Sequence, residues 1–126
     1  MIQVTIPKDK YFNYRECREL YKKLKGKIGD RRTFRELMQE TFFYSFFDNQ
    51  KFLGCIYFYE EDNKLYVNAF ANRHTHLQNL KCFKMSLDWF NCDIYARSKH
   101  KTAILCLLKS GFKRIDNNLF IYERSK

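Results

Sequence analysis

At 126 residues the chain has room for one domain and is too short for two. Its 45% hydrophobic and 18% aromatic content supplies a core, while one proline and four glycines exclude collagen-like repeats and long flexible linkers. The formal net charge of +10 favours polyanions such as nucleic acid, and no apolar run approaches the length of a membrane helix.

The first segment, Met1 to Ile6, reads as a short strand and lacks the zones of a secretory signal, so a cytoplasmic location is expected. Pro7 and Asp9 then mark a turn. From Tyr11 to Lys25 the residues Tyr14, Cys17, Leu20, Tyr21 and Leu24 recur at helical spacing, and Gly26 and Gly29 are read as ending that helix. Its basic residues (Arg15, Arg18, Lys22, Lys23, Lys25) alternate with Glu16 and Glu19, as on a solvated helix face. A shorter helix starts near Thr33, where Thr33 and Glu36 fit a capping box.

Phe42 to Phe47, Phe52 to Tyr59 and Leu65 to Ala71 read as three strands of an antiparallel meander, with turns at Asp48–Gln50 and Glu60–Asn63. Gly54 sits inside the middle strand as a bulge or a point of close approach. Asn72 to Asn79 is polar and aperiodic, and a helix follows from about Leu80 to Phe90. Asp93 to Arg97 is a short strand and Thr102 to Lys109 a helix, with Gly111 placed for a left-handed C-terminal residue. Lys113 to Asp116 and Leu119 to Arg124 form the last hairpin around Asn117-Asn118.

The order is therefore β-α-α-β-β-β-α-β-α-β-β, a single α+β (α/β) domain over residues 1–126. That order, with the stretch Ala103 to Lys113 ending in Lys109-Ser110-Gly111-Phe112, resembles the GNAT (Gcn5-related N-acetyltransferase) fold. The resemblance implies a mixed, mostly antiparallel sheet of about seven strands with about four helices. It also implies acetyl-CoA as cofactor, bound in a splay between the fourth and fifth strands, and an amine as acyl acceptor. The implied cofactor-binding residues are Val67, Ala69 and Ala71 on the fourth strand, and Arg73, His74, Thr75, His76 and Lys81 beyond it. The chain departs from the family pattern in two places. The loop Asn72 to Asn79 has no glycine where the family uses glycines to bring phosphates near the backbone. Leu107 stands where many members carry a tyrosine that protonates the departing thiolate, and His100 stands at a family asparagine, making it the candidate catalytic residue.

Two functions follow. One is an N-acyltransferase that moves an acyl group from CoA to an amine. The other is a non-catalytic, virion-associated or assembly protein, since the C-terminal half is also similar to small phage-encoded GNAT-like proteins, including internal virion proteins of T7-like podophages. Phage structural proteins would then be the partners; nucleic acid is the partner suggested by charge alone. The remaining chemistry is sparse. His74 and His76 share one side of an extended loop but lack a third ligand at metal spacing, so no metal is expected. The five scattered cysteines form no C-x-x-C pair and read as buried free thiols. Asn68 is the polar residue on the fourth strand and cannot act as a base. Tyr57, Tyr59, Tyr66 and Tyr95 either line a cleft or pack on the sheet.

Overall fold

The structure is a computed structural model describing residues 1–73 and 75–124. Seven strands form one sheet in the order β1-β2-β3-β4-β5-β7-β6. In chain order the elements are β1 (Ile2–Thr5), α1 (Tyr14–Ile28), α2 (Phe34–Glu40), β2 (Phe42–Asp48), β3 (Lys51–Glu61), β4 (Lys64–Ala71), α3 (His76–Leu87), β5 (Ile94–Arg97), α4 (Lys101–Lys109), β6 (Lys113–Asp116) and β7 (Leu119–Tyr122). Neighbouring strands are antiparallel except β4 and β5, which run parallel. The predicted order and sheet type are those observed.

Strand alternation divides the core between the two faces of the sheet. Phe58, Leu65, Val67, Ile94, Ala96 and Phe120 turn towards α3 and α4, where they meet Phe83, Leu87, Leu107 and Phe112. Phe43, Cys55, Tyr57 and Phe70 turn the other way and pack under α1 and α2 against Cys17, Leu20, Tyr21, Phe34 and Leu37. Both two-residue turns of the meander, Asn49–Gln50 and Asp62–Asn63, have positive φ at both positions. That conformation matches the twist of the strands they join and fixes their register.

Both ends of α1 and of α3 differ from the sequence expectation. Helix α1 starts at Tyr14 and runs through Gly26 to Ile28, ending at Gly29 (φ 73°), whose N–H donates to the Lys25 carbonyl. A single glycine costs a helix only about 1 kcal/mol, which the buried face of α1 outweighs. Helix α3 begins at His76, within the stretch read as loop, and its last residue is Leu87 rather than Phe90. The capping box of α2 is present as expected: Glu36 N–H donates to Thr33 Oγ1 and Thr33 N–H to Glu36 Oε1.

Gly54 marks both a bulge and a close approach. The register of β2 on β3 shifts between Phe46 and Phe47, leaving Leu53 as the extra residue. Gly54 itself has φ 154° and lies so close to β4 that an added Cβ would fall 2.6 Å from both Ala71 Cα and the Phe70 carbonyl oxygen. The last residues of β4 are held in place through this contact.

Candidate functional site

The parallel pair β4–β5 is short. The two strands share only Leu65↔Ile94 and Tyr66↔Tyr95, after which β5 continues alongside β7 and β4 continues alongside β3. The far half of β4, from Asn68 to Ala71, thus has a partner on one side and an opening on the other.

The direction of the backbone groups follows from the antiparallel ladder. Asn72 N–H donates to the Leu53 carbonyl, so even-numbered residues of β4 bond to β3. The closing pair Glu61↔Lys64 of the two-residue turn has the same parity. The N–H and C=O groups of Ala69 and Ala71, and the C=O of Val67, therefore point into the opening, while the Val67 N–H makes the last β4–β5 bond, to the Tyr95 carbonyl. Their side chains are small or buried: Val67 is in the core, Ala71 half-buried and Ala69 exposed. These are the three β4 residues that the sequence resemblance singles out.

At its C-terminal end β4 leads through a short loop into α3. Thr75, the N-terminal cap residue, is fully buried, and its hydroxyl donates to the Asn72 carbonyl at 2.9 Å. Asn72 in turn donates Nδ2 to the Phe52 carbonyl at 3.0 Å. The first helical bond runs from Asn79 N–H to the Thr75 carbonyl. The amides of His76, Leu77 and Gln78 precede it and carry the positive end of the helix dipole. Arg73, His76 and Lys81 are exposed around this turn, and His74 lies outside the described residues. The strand edge thus offers donors to a ligand carbonyl, and the helix start offers donors to an anion.

The loop between α1 and α2 is tied to β3 and to Asn68 of β4, and sequence reading did not find its role. Tyr57 hydroxyl donates to Asp30 Oδ2 at 2.6 Å, Tyr21 hydroxyl to the Arg32 carbonyl at 2.6 Å, and Asn68 Nδ2 to the Ile28 carbonyl at 3.3 Å. Asp30 also accepts from the Arg32 guanidinium at 3.0 Å and from the Arg32 N–H at 2.8 Å. With its oxygens engaged by these donors, Asp30 orders the loop. Burial first, and then the bond to Asp30, push the Tyr57 hydroxyl above its ordinary range. A signal was present in the sequence: Asp30 and Arg32 follow directly on the helix-ending Gly29.

The four tyrosines form a packed row rather than a cleft lining. Tyr59 stacks on Tyr66 with ring centroids 5.5 Å apart, and Tyr66 meets Tyr95 at 5.7 Å with the rings tilted by 42°. Arg32 lies over Tyr59 at 4.4 Å and Arg97 over Tyr66 at 4.2 Å, in the cation–π range. Arg97 also holds Glu61 at 2.9 Å, so that carboxylate is not a free turn residue.

The structure separates the two candidates for proton chemistry. His100 is exposed at the N-terminal cap of α4, with its N–H donating to Ser98 Oγ at 3.2 Å. Leu107 is buried, 6% exposed, and packs in the core with Phe83 and Phe112. Of the cysteines, Cys17, Cys55 and Cys82 are buried and Cys106 is half-buried. Cys92 is exposed, contrary to the expectation of buried thiols throughout. Among the described residues no three His, Cys, Asp or Glu side chains converge as a metal site, and no helix is long and apolar enough to cross a membrane.

No protein-family model matches the chain, and no curated protein sequence matches it. Solved structures match over almost its whole length. An N-acetyltransferase from Staphylococcus aureus Mu50 superposes with a TM-score of 0.74 at 10% identity, covering 98% of this chain and 97% of that one. An aminoglycoside acetyltransferase in complex with coenzyme A gives 0.70 at 16% identity, covering 98% and 95%. The ribosomal-protein-S18-alanine N-acetyltransferase of Escherichia coli gives 0.66 at 9% identity, covering 100% and 96%. At such identities the likeness is one of fold.

Proposed function

We propose, on the GNAT acetyltransferase fold that these likenesses establish, that the chain binds an acyl-CoA in the β4–β5 opening and transfers its acyl group to an amine. One observation carries this reading. The β4 edge has no strand partner from Asn68 to Ala71 and leads directly into the start of α3, so the strand amides on that edge are followed by a positive helix terminus. A thioester joined to a pyrophosphate has the complementary order of groups, carbonyls followed by an anion.

The residues take the following roles. The N–H groups of Ala69 and Ala71 bind carbonyls along the edge that starts at Val67, and a donor facing the thioester carbonyl stabilises the oxyanion formed on attack. The amides of residues 76–78 hold phosphate oxygens, with Arg73 and Lys81 adding charge and His76 a further ring nitrogen for hydrogen bonding. Thr75, tied to Asn72, sets the angle at which the helix start meets the strand. The ordered loop of Asp30 and Arg32 forms the acceptor side. An amine nitrogen attacks the thioester carbon, the C–S bond breaks, and the amine's proton passes to water or to His100. Leu107 supplies no proton to the departing thiolate, which lowers turnover without weakening binding.

Titration calorimetry with acetyl-CoA, with CoA as control and at two salt concentrations, tests the reading. Micromolar binding that weakens modestly with salt supports it, because exposed cations hold part of the anion. No heat at high protein concentration for either ligand overturns it and favours a non-catalytic protein on the same fold, with a virion or assembly partner to be sought.

A further inference from the structure

The amide of Ala69 is not left open. Its N–H donates to the side-chain Oδ1 of the residue before it, Asn68, at 2.8 Å. In a regular strand that N–H lies in the plane of the sheet and bonds to the neighbouring strand. Here β5 has already diverged, and the Asn68 carboxamide stands where a β5 carbonyl would be. Asparagine does this readily, since its short side chain reaches adjacent backbone groups and competes with ladder bonds. The same carboxamide donates Nδ2 to the Ile28 carbonyl at 3.3 Å, at the last residue of α1. It therefore spans from the acceptor-side loop to the middle of the open edge.

From this geometry we infer that Asn68 is a displaceable cap on the Ala69 amide, which an acyl ligand must replace with its own carbonyl to occupy the β4–β5 opening. The inference rests on the acyl-CoA reading for the identity of the ligand, and on geometry alone for the cap. Asn68 is thus a positioning residue. It satisfies the amide where no ligand carbonyl does, and it sets against ligand binding the worth of the hydrogen bond it gives up. Exchanging one neutral hydrogen bond for another changes affinity by roughly two- to tenfold. Displacement also frees the hold on Ile28, so filling the opening loosens the end of α1 next to the acceptor loop.

Two readouts test this on the full chain. Amide hydrogen exchange by NMR reports the cap directly. Asn68→Ala is expected to speed exchange at Ala69 by about two- to tenfold, while Asn68→Asp, which keeps an acceptor oxygen in place, retains the protection. Calorimetry with acetyl-CoA reports the competition. Asn68→Ala is expected to bind about two- to tenfold more tightly than the unmodified chain, and Asn68→Asp more weakly. Unchanged exchange at Ala69 in Asn68→Ala overturns the cap. Equal or weaker acetyl-CoA binding by Asn68→Ala overturns the competition. Absence of acetyl-CoA binding in both proteins overturns the acyltransferase reading instead, and the exchange result still decides the cap.

Discussion

Gly54 gives the sharpest test of how the open edge is built, because the clash it avoids is with backbone. Replacing Gly54 with Ala puts a Cβ 2.6 Å from Ala71 Cα, 2.6 Å from the Phe70 carbonyl oxygen and 2.9 Å from Ala71 Cβ. None of these atoms can rotate aside, so β3 and the end of β4 must separate. Overpacking of this kind costs about 1–3 kcal/mol. Holding an L-residue at φ 154° adds about 1–3 kcal/mol. The sum, about 2–6 kcal/mol, is a large share of the roughly 6–19 kcal/mol expected for a domain of 126 residues. Gly26 is the internal control. It lies inside α1 with nothing within 4 Å of an added Cβ. Gly26→Ala should therefore stabilise by about 0.5–1 kcal/mol. Urea denaturation followed by far-UV circular dichroism, with m held in common, measures both. A Gly54→Ala protein within about 0.5 kcal/mol of the unmodified chain would refute the close approach, and with it the account of how the end of β4 is fixed.

Alkaline conditions should unfold the protein early. Burial, with the Asp30 charge second, raises Tyr21 from 10.0 to about 12, and burial likewise raises Tyr59. The unfolded chain then ionises first, so the stability these hydroxyls contribute is complete below pH 10 and is lost as pH rises through about 12. The urea midpoint should fall progressively over that window, and a flat profile counts against the buried tyrosines. Among the thiols, a small alkylating reagent at neutral pH should label Cys92 first, since it is exposed, while burial raises Cys82 to about 11 and also raises Cys106. Intact-mass spectrometry reads the order, and early labelling of Cys82 would contradict the packing of α3. Leu107→Tyr should not restore a proton donor, because the side chain points into the core. Overpacking and an unpaired hydroxyl together cost about 2–6 kcal/mol, and a Leu107→Tyr protein with faster acyl transfer and undiminished stability would refute that placement.

The order of elements was legible because each long element announces its own period. Tyr14, Cys17, Leu20, Tyr21 and Leu24 mark one face of α1, and the alternation from Phe52 to Ala71 marks β3 and β4. Where the reading failed, local chemistry pointed the wrong way. The first turn of α3 inverts the usual polarity: Thr75 is fully buried and Leu77 is 82% exposed, so no apolar stripe signals a helix. Gly26 was read as a break, yet a glycine on the exposed face of a helix with three buried anchors only weakens it. Cys92 was read as buried although it falls in the exposed connection before β5. The Asp30–Arg32–Tyr57 network and the Asn68 cap were out of reach for a different reason. They join residues on three elements far apart in the chain, and their partners include the backbone groups of Ile28, Arg32 and Ala69, to which residue type gives no clue.

This difference bears on how the site should be judged. Most donors of the proposed acyl-CoA site are main-chain amides, placed by the divergence of β4 from β5 and by the start of α3. A chain can lose family side chains and keep such a site, provided the residues along the edge stay small or turn away, as Val67, Ala69 and Ala71 do. The glycine-free loop and Leu107 then act on different quantities. Side chains at residues 72–79 limit how closely an anion approaches the helix start, which weakens binding. A missing general acid leaves binding alone and slows the chemical step by about 10²–10⁴-fold. For this chain, then, affinity for acyl-CoA tests whether the cleft functions, and turnover tests whether anything replaces the tyrosine. A single activity assay would confuse the two, because a slow enzyme with an intact cleft and a protein with a closed cleft both yield little product.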